Sequence, residues 1–315
     1  MFVSQIDIKE FRGIRECREP IKLSKFTVLI GRNNSGKSTV LEALSLLPHS
    51  LSTDSLYGTR RIDILDNLHS GKPLVYKYAG VAELNYLLDR KQFKFKIPEN
   101  KNEATVSVEG TILTPTQVAE SMKWVEIEKL VLFIPNDTEI LTKLRNRIEE
   151  LWDLIVKLGA HISVVKHIND CIDEAYTEIF FEKRISVRKE AEKPYYIRLE
   201  DLGDGIEKAI KVMLFLEAMK PKLILWDDFE ASAHPTLIEM LLKWLSERDW
   251  QVVLSTHSID VLYRLLEVKP DDLTVLQLRR TPDDVLLHKS LSLEELESLI
   301  EANLDPRLLV DALSL

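Results

Sequence analysis

Gly31-Arg32-Asn33-Asn34-Ser35-Gly36-Lys37-Ser38-Thr39 meets the pattern G-x-x-x-x-G-K-[ST] at every position. In front of it, Phe26-Thr27-Val28-Leu29-Ile30 reads as a strand, and behind it Val40, Leu41, Ala43, Leu44 and Leu47 recur at helical spacing over residues 38–47. A Gly/Ser-rich turn can match such a pattern by accident, but a strand before and a helix after are the context a phosphate loop requires. Backbone N–H groups converge on an anion only where the chain turns tightly, so glycine takes the corners, and the helix N-terminus adds its dipole. In this pattern Lys37 reaches the β- and γ-phosphates and the Ser38 hydroxyl ligates Mg²⁺.

Two later stretches complement the loop. Lys222-Leu223-Ile224-Leu225-Trp226 is an apolar run that ends in Asp227 and Asp228, as a buried parallel strand does when it delivers acids to its C-terminal end. This is the Walker B position: Asp227 would hold the metal, and Asp228 would polarise an attacking water. The next strand, residues 251–255, runs into Thr256-His257-Ser258, where an imidazole suits a γ-phosphate sensor. Upstream, Leu202-Gly203-Asp204-Gly205 opens a long apolar helix. It reads equally as an anion site for a phosphate held on a second subunit or as an ordinary turn with Asp204 as the cap.

The 315 residues, 45% of them hydrophobic, can bury a large core and exclude a disordered chain. The expected class is α/β, one large domain or a core with an inserted subdomain. With 51 acidic against 42 basic residues and a net charge of −9, no global field draws in nucleic acid, so any such contact must be local. Cys17 and Cys171 fit no metal or redox spacing and read as reduced thiols. No membrane-spanning run or leader pattern is visible, so a cytoplasmic protein without membrane contact is the expectation.

Along the chain, residues 2–9 alternate as a strand, and Arg12 in the following turn is read either as a solvated cation or as a group near the nucleotide. Residues 48–71 read as loop and short helix. From Leu74 the pattern is that of antiparallel strands, with Lys94 and Lys96 on the wet face of an edge strand. Residues 129–134 form a short apolar strand. Two helices then follow, one of roughly twenty residues from Ile140 to Leu158 and one carrying Val165, Ile168, Ile172, Tyr176 and Ile179, a hairpin about 30 Å long at 1.5 Å per residue. His161 and His167 are structural or surface residues here. Lys183, Arg184, Arg188 and Lys189 make the densest basic patch, either a solvated strand face or a contact for a nucleic-acid backbone or an acidic partner.

The order of these motifs resembles the ATPase heads of the ABC class that includes SMC, RecF and, most closely, the OLD-family ATPases. The residues that carry it are Ile6, Ile8, Phe11, Arg12, Gly13 and Ile14; the loop from Gly31 to Thr39; Leu202 to Gly205; Asp227, Asp228, Phe229 and Glu230 with His234 and Pro235; and Thr256, His257 and Ser258. The resemblance implies a P-loop NTPase with an ABC-type head: a mostly parallel core sheet flanked by helices, an antiparallel N-terminal β subdomain and an inserted helical hairpin. It divides the chain into an N-terminal lobe (1–135), the hairpin (136–182) and a C-terminal lobe (183–315). Further, it implies that Gly31, Arg32, Asn33, Asn34, Ser35, Gly36, Lys37, Ser38 and Thr39 bind ATP, with Arg12 close by. Ser38 and Asp227 would serve Mg²⁺, Asp228 would be the catalytic acid and His257 the switch histidine. Gly203 and Gly205 would complete a partner's site in a head-to-tail homodimer.

Departures from the family pattern shape the functional expectation. Asp228 stands where the family has Glu, one C–C bond shorter, which implies slow hydrolysis, with Glu230 as a substitute. Gly203 stands where a signature serine is common. No Q-loop glutamine has supporting context; Gln92 and Gln117 are the candidates. No Toprim nuclease pattern follows His257, so a nuclease or effector would be a separate polypeptide. Two functions follow: an ATP-driven dimerisation switch in DNA-related or anti-phage processes, or a hydrolysis-deficient ATP-binding regulatory subunit. Direct DNA binding by the basic patch is a third reading.

Overall fold

The computed structural model describes residues 2–137 and 139–308. In chain order the strands are β1 Val3–Phe11, β2 Ile14–Cys17, β3 Ile21–Lys22, β4 Phe26–Ile30, β5 Val81–Leu88, β6 Lys91–Pro98, β7 Thr105–Val108, β8 Thr111–Ile112, β9 Val131–Ile134, β10 Tyr176–Phe181, β11 Ile185–Lys189, β12 Tyr195–Arg198, β13 Leu223–Trp226, β14 Gln251–Ser255, β15 Leu273–Arg280 and β16 Val285–Leu291. The helices are α1 Lys37–Ser45, α2 Arg61–Leu68, α3 Pro115–Met122, α4 Ile140–Glu150, α5 Trp152–Lys157, α6 Ala160–Asn169, α7 Asp204–Met219, α8 Pro235–Ser246, α9 Ile259–Val268 and α10 Leu293–Glu301.

Among the described residues thirteen strands form one sheet, in the order β8-β7-β6-β5-β1-β2-β16-β15-β4-β14-β13-β9 with β3 beside β1. The run β15-β4-β14-β13-β9 is parallel throughout, while β5 to β8 form an antiparallel meander on β1. The antiparallel part is no separate sheet: β2 pairs in parallel with β16, which makes the two regions continuous. Buried Gln251 reinforces the join, accepting from the N–H groups of Phe2 (3.1 Å) and Val3 (2.8 Å) and donating to the carbonyls of Val3 and Ser24.

Each core strand is buried on both faces, and its side chains divide by the period of two. Ile224 and Trp226 of β13 join the core under α4 to α9, whereas Leu223 and Leu225 join the core under α1 and the antiparallel strands. The outer edge at β9 is covered rather than open: the buried Arg61 guanidinium donates to the carbonyls of Val131 (3.0 Å) and Glu128 (2.9 Å) and pairs with Asp54 at 3.1 Å. Burial pushes both thiols up, Cys17 to about 12 and Cys171 to about 11, so neither is a ready nucleophile.

Several expectations change. The first inserted helix breaks at Leu151 into α4 and α5, and the second ends at Asn169 rather than near Ile179. Residues 176–181 are a strand, and the reason for the misleading period is a register shift between Tyr176 and Glu178. That bulge turns both Tyr176 and Ile179 inward, three residues apart, which mimics a helical stripe. Asn169 stops the helix, its amide bonding the N–H and carbonyl of Tyr176 at 3.0 and 2.8 Å. Lys94 and Lys96 do lie on a wet face, paired with Glu83, but β6 is an interior strand and not an edge. The cap of α7 is Gly203, with Asp204 already helical.

Candidate functional site

Parallel pairing sets Val28, Leu254 and Trp226 side by side, so β4, β14 and β13 end together. Whatever follows each strand is therefore delivered to one place, the crevice beyond the C-terminal ends. After β4 comes the loop Gly31–Thr39, after β13 the pair Asp227-Asp228, after β14 Thr256 and His257, and after β9 Pro135 and Asn136.

Gly31 holds φ at 144°, and a Cβ there would strike the carbonyl oxygen of Leu278 and Ser35. The loop thus needs glycine for both its backbone angle and its closeness to β15. Asn34 (φ 64°) and Gly36 (φ 103°) also take left-handed angles, the backbone of an anion-binding nest at the start of α1. The Lys37 ammonium is buried, donates to the carbonyls of Gly31 (3.1 Å) and Arg32 (3.2 Å), and lies 3.4 Å from His257 Nδ1. Burial pushes its pKa down, opposed by Asp228, Asp227 and Glu230.

Asp227 accepts hydrogen bonds from the hydroxyls of Ser255 and Ser38, which brings the two expected metal ligands together. Burial pushes the Asp227 carboxyl up, against these two hydrogen bonds that favour the ionised form. Ser255 also accepts from the N–H of Asp228 at 2.9 Å, so one hydroxyl orients both acids. Asp228 takes a left-handed backbone (φ 45°), accepts from Asn136 Nδ2 at 2.8 Å and places Oδ1 3.6 Å from His257 Nε2. One oxygen of Glu230 accepts from the N–H of His257 at 2.7 Å. Its other oxygen is buried without a protein partner.

The remaining expectations separate. Arg12 lines a cleft that shares Arg280 and Asp284 with the one at the phosphate loop; its guanidinium lies 2.8 Å from Glu42, which also receives His69 at 3.0 Å. Burial raises Glu42 to about 7 against the opposing Arg12 charge, and lowers His69 to about 4 with Arg12 adding to the effect. Gly205 packs on Ser232, and the space over Gly203 is open. Gln92 lies on β6 and Gln117 caps α3, so neither is a Q-loop residue; the amide at the acids belongs to Asn136.

Sequence reasoning also missed Ser255, Lys208 and Arg307. Lys208, on α7, is buried 5.7 Å from the centre of the Trp226 ring, its pKa pushed down by burial against the charges of Asp228, Glu230 and Asp227. Arg307 donates to the His257 carbonyl at 2.6 Å. Nothing in the sequence around Asn136 marks it, since Pro135 rather than an acid follows the apolar strand of residues 131–134.

Two clefts meet at the site. One, of about 460 Å³, is walled by Arg32 to Ser35, Arg280 and Arg307; the other, of about 650 Å³, by Arg12, His69, Lys72 and Tyr76, with Arg280 and Asp284 common to both. The donor set fits a nucleoside triphosphate and a divalent cation. Ser35 Oγ is buried without a protein partner inside the nest, and Ser38 with Asp227 offers two oxygens. Among the described residues no three or more His, Cys, Asp or Glu side chains gather as a metal centre. Mg²⁺ needs no such cage where phosphates supply the other oxygens.

The fold is that of an ABC/SMC-type head. The backbone is similar to an Smc head bound to the C-winged helix domain of ScpA, with TM-score 0.63 at 14% identity over 95% of this chain and 100% of that one. A Pyrococcus furiosus Smc head with an extended coiled coil, bound to the C-terminal domain of ScpA, gives 0.63 at 12% over 96% and 99%. The Thermotoga maritima SMC head gives 0.56 at 14% over 93% and 100%. Residues 26–262 match the family described as "AAA domain, putative AbiEii toxin, Type IV TA system", and the chain belongs to that family. An uncharacterized Methanocaldococcus jannaschii protein is 34% identical over 70 residues, 21% of this chain and 61% of that relative. Among the described residues no helix is long and apolar enough to cross a membrane.

Proposed function

We propose that this chain binds ATP and Mg²⁺, closes head to tail with a second copy over two nucleotides, and reopens on slow hydrolysis. The observation that carries the reading is the hydrogen bond between Ser38 and Asp227, which brings a hydroxyl from the phosphate loop to a carboxylate 189 positions later in the chain. Gly31 to Thr39 would cradle the phosphates, Lys37 would neutralise them, and Ser38 and Asp227 would hold the cation, whose charge stabilises the transferring phosphoryl group. Asp228 would orient the lytic water, with Asn136 and His257 fixing its carboxylate. Gly203 and Gly205 would face the partner's nucleotide. Closure would drive a separate nuclease or effector in a DNA-linked or defence-linked process, and co-elution of that partner with ATP but not without it tests the step.

Lys37→Ala should abolish ATP binding, read by a labelled analogue, and unchanged affinity in that variant would count against the site. Asp228→Asn should trap an ATP-bound dimer, which light scattering reads as a doubled mass. A second reading, an ATP-binding subunit that hydrolyses little, is favoured by the short Asp228 side chain already held by Asn136 at 2.8 Å. Phosphate release decides: turnover clearly above the Lys37→Ala background removes it.

A further inference from the structure

The strands β10, β11 and β12 form a separate three-stranded antiparallel sheet. Its inner face, Ile179, Val187 and Ile197, packs on the helical core. Its outer face carries two cross-strand rows: Phe180, Ser186 and Arg198 in one, Glu178, Arg188 and Tyr196 in the other. Phe180 is 42% exposed and Tyr196 52%, their ring centres 5.5 Å apart on a diagonal. Two large aromatic rings thus stand exposed on an otherwise polar face. Glu178 receives the Tyr196 hydroxyl at 3.5 Å and so helps to hold that ring. Arg188 and Arg198 complete the face, and Lys183 with Arg184 lies exposed in the turn between β10 and β11. Lys189, part of the basic cluster in the sequence, is committed elsewhere, to Glu174 at 2.6 Å.

We infer that this face is a platform for single-stranded nucleic acid: bases stack on Phe180 and Tyr196, and the backbone follows Arg188, Arg198, Lys183 and Arg184. Exposed rings can be used by unpaired bases only, because a duplex hides its base faces. The cations supply the phosphate contacts, and in a chain of net charge −9 such attraction has to be local.

The test is fluorescence anisotropy of a labelled 20-nucleotide oligothymidylate and a duplex of equal length, at about 50 and about 200 mM salt, with no nucleotide present. The result is then independent of the ATP site: an inert phosphate loop would not alter it. The single strand should bind about tenfold or more tighter than the duplex. Phe180→Ala and Tyr196→Ala should each weaken it about tenfold without changing the salt slope, while Tyr196→Phe retains binding. Arg188→Gln and Arg198→Gln should each reduce the slope by about 0.7. No binding at the lower salt overturns the inference, as does duplex bound equally well with the aromatic variants unaffected. Equal competition by polyglutamate would also overturn it, assigning the face to an acidic protein segment.

Discussion

The peptide unit at His257 is gripped from both sides. Its N–H donates to Glu230 at 2.7 Å and its carbonyl accepts from Arg307 at 2.6 Å. Arg307 is itself fixed by Asp305 through three contacts of 2.6 to 3.1 Å, and the neighbouring Pro306 carbonyl accepts from buried Gln277 of β15. A charged fork bonded on several sides loses little freedom, so it holds its target firmly. The imidazole between Lys37 and Asp228 is therefore aimed by a residue fifty positions later in the chain. Arg307→Ala should lower kcat about tenfold or more while leaving ATP affinity within about twofold, since misplacement acts on the reacting geometry rather than on binding. In His257→Ala the same change should have no further effect. An additive loss in the double variant would make Arg307 a general structural strut.

At the scale of elements, α7 is keyed to the segment after the acids by one close approach. A Cβ on Gly205 would collide with the carbonyl oxygen of Ser232, a rigid backbone atom, so Gly205→Ala should destabilise the protein by about 1–3 kcal/mol in urea unfolding. Gly203 has open space and caps the helix, so Gly203→Ser should be neutral or stabilising by a few tenths of a kcal/mol. A loss of stability at 203 equal to that at 205 would contradict this. Elements whose signal is local were legible: the strand Phe26–Ile30 and the strand Gln251–Ser255 form as their sequences read, since an apolar run bounded by turn residues needs no distant information. Residues 172–179 were not, because a bulge in one strand and the apolar stripe of a helix share a three-residue spacing. Asn136 was invisible as a site residue for a different reason. Its meaning comes from β9 pairing with β13, ninety residues later, and pairing partners are not written in either strand.

The whole molecule brings strand ends from across the chain to one crevice, while Gly203 caps α7 and Gly205 lies in its first turn. Gly205 rests on Ser232 and the surface over Gly203 is open. A head-to-tail dimer gives these glycines a use: each site would take its phosphate loop from one copy and its α7 N-terminus from the other, the self-complementary arrangement of a two-fold interface. Complementation tests it. Lys37→Ala removes the loop's function, and Gly203→Asp puts a negative charge opposite the partner's triphosphate without a clash inside its own fold. Each variant alone should be inactive in phosphate release. Mixed in equal amounts, about half of the dimers pair one variant with the other, and each such dimer holds one intact site and one doubly damaged site. The mixture should therefore recover about a quarter of the native turnover, falling steeply on dilution as the dimer dissociates. A mixture as inactive as its components at high concentration would place both halves of the site in one chain.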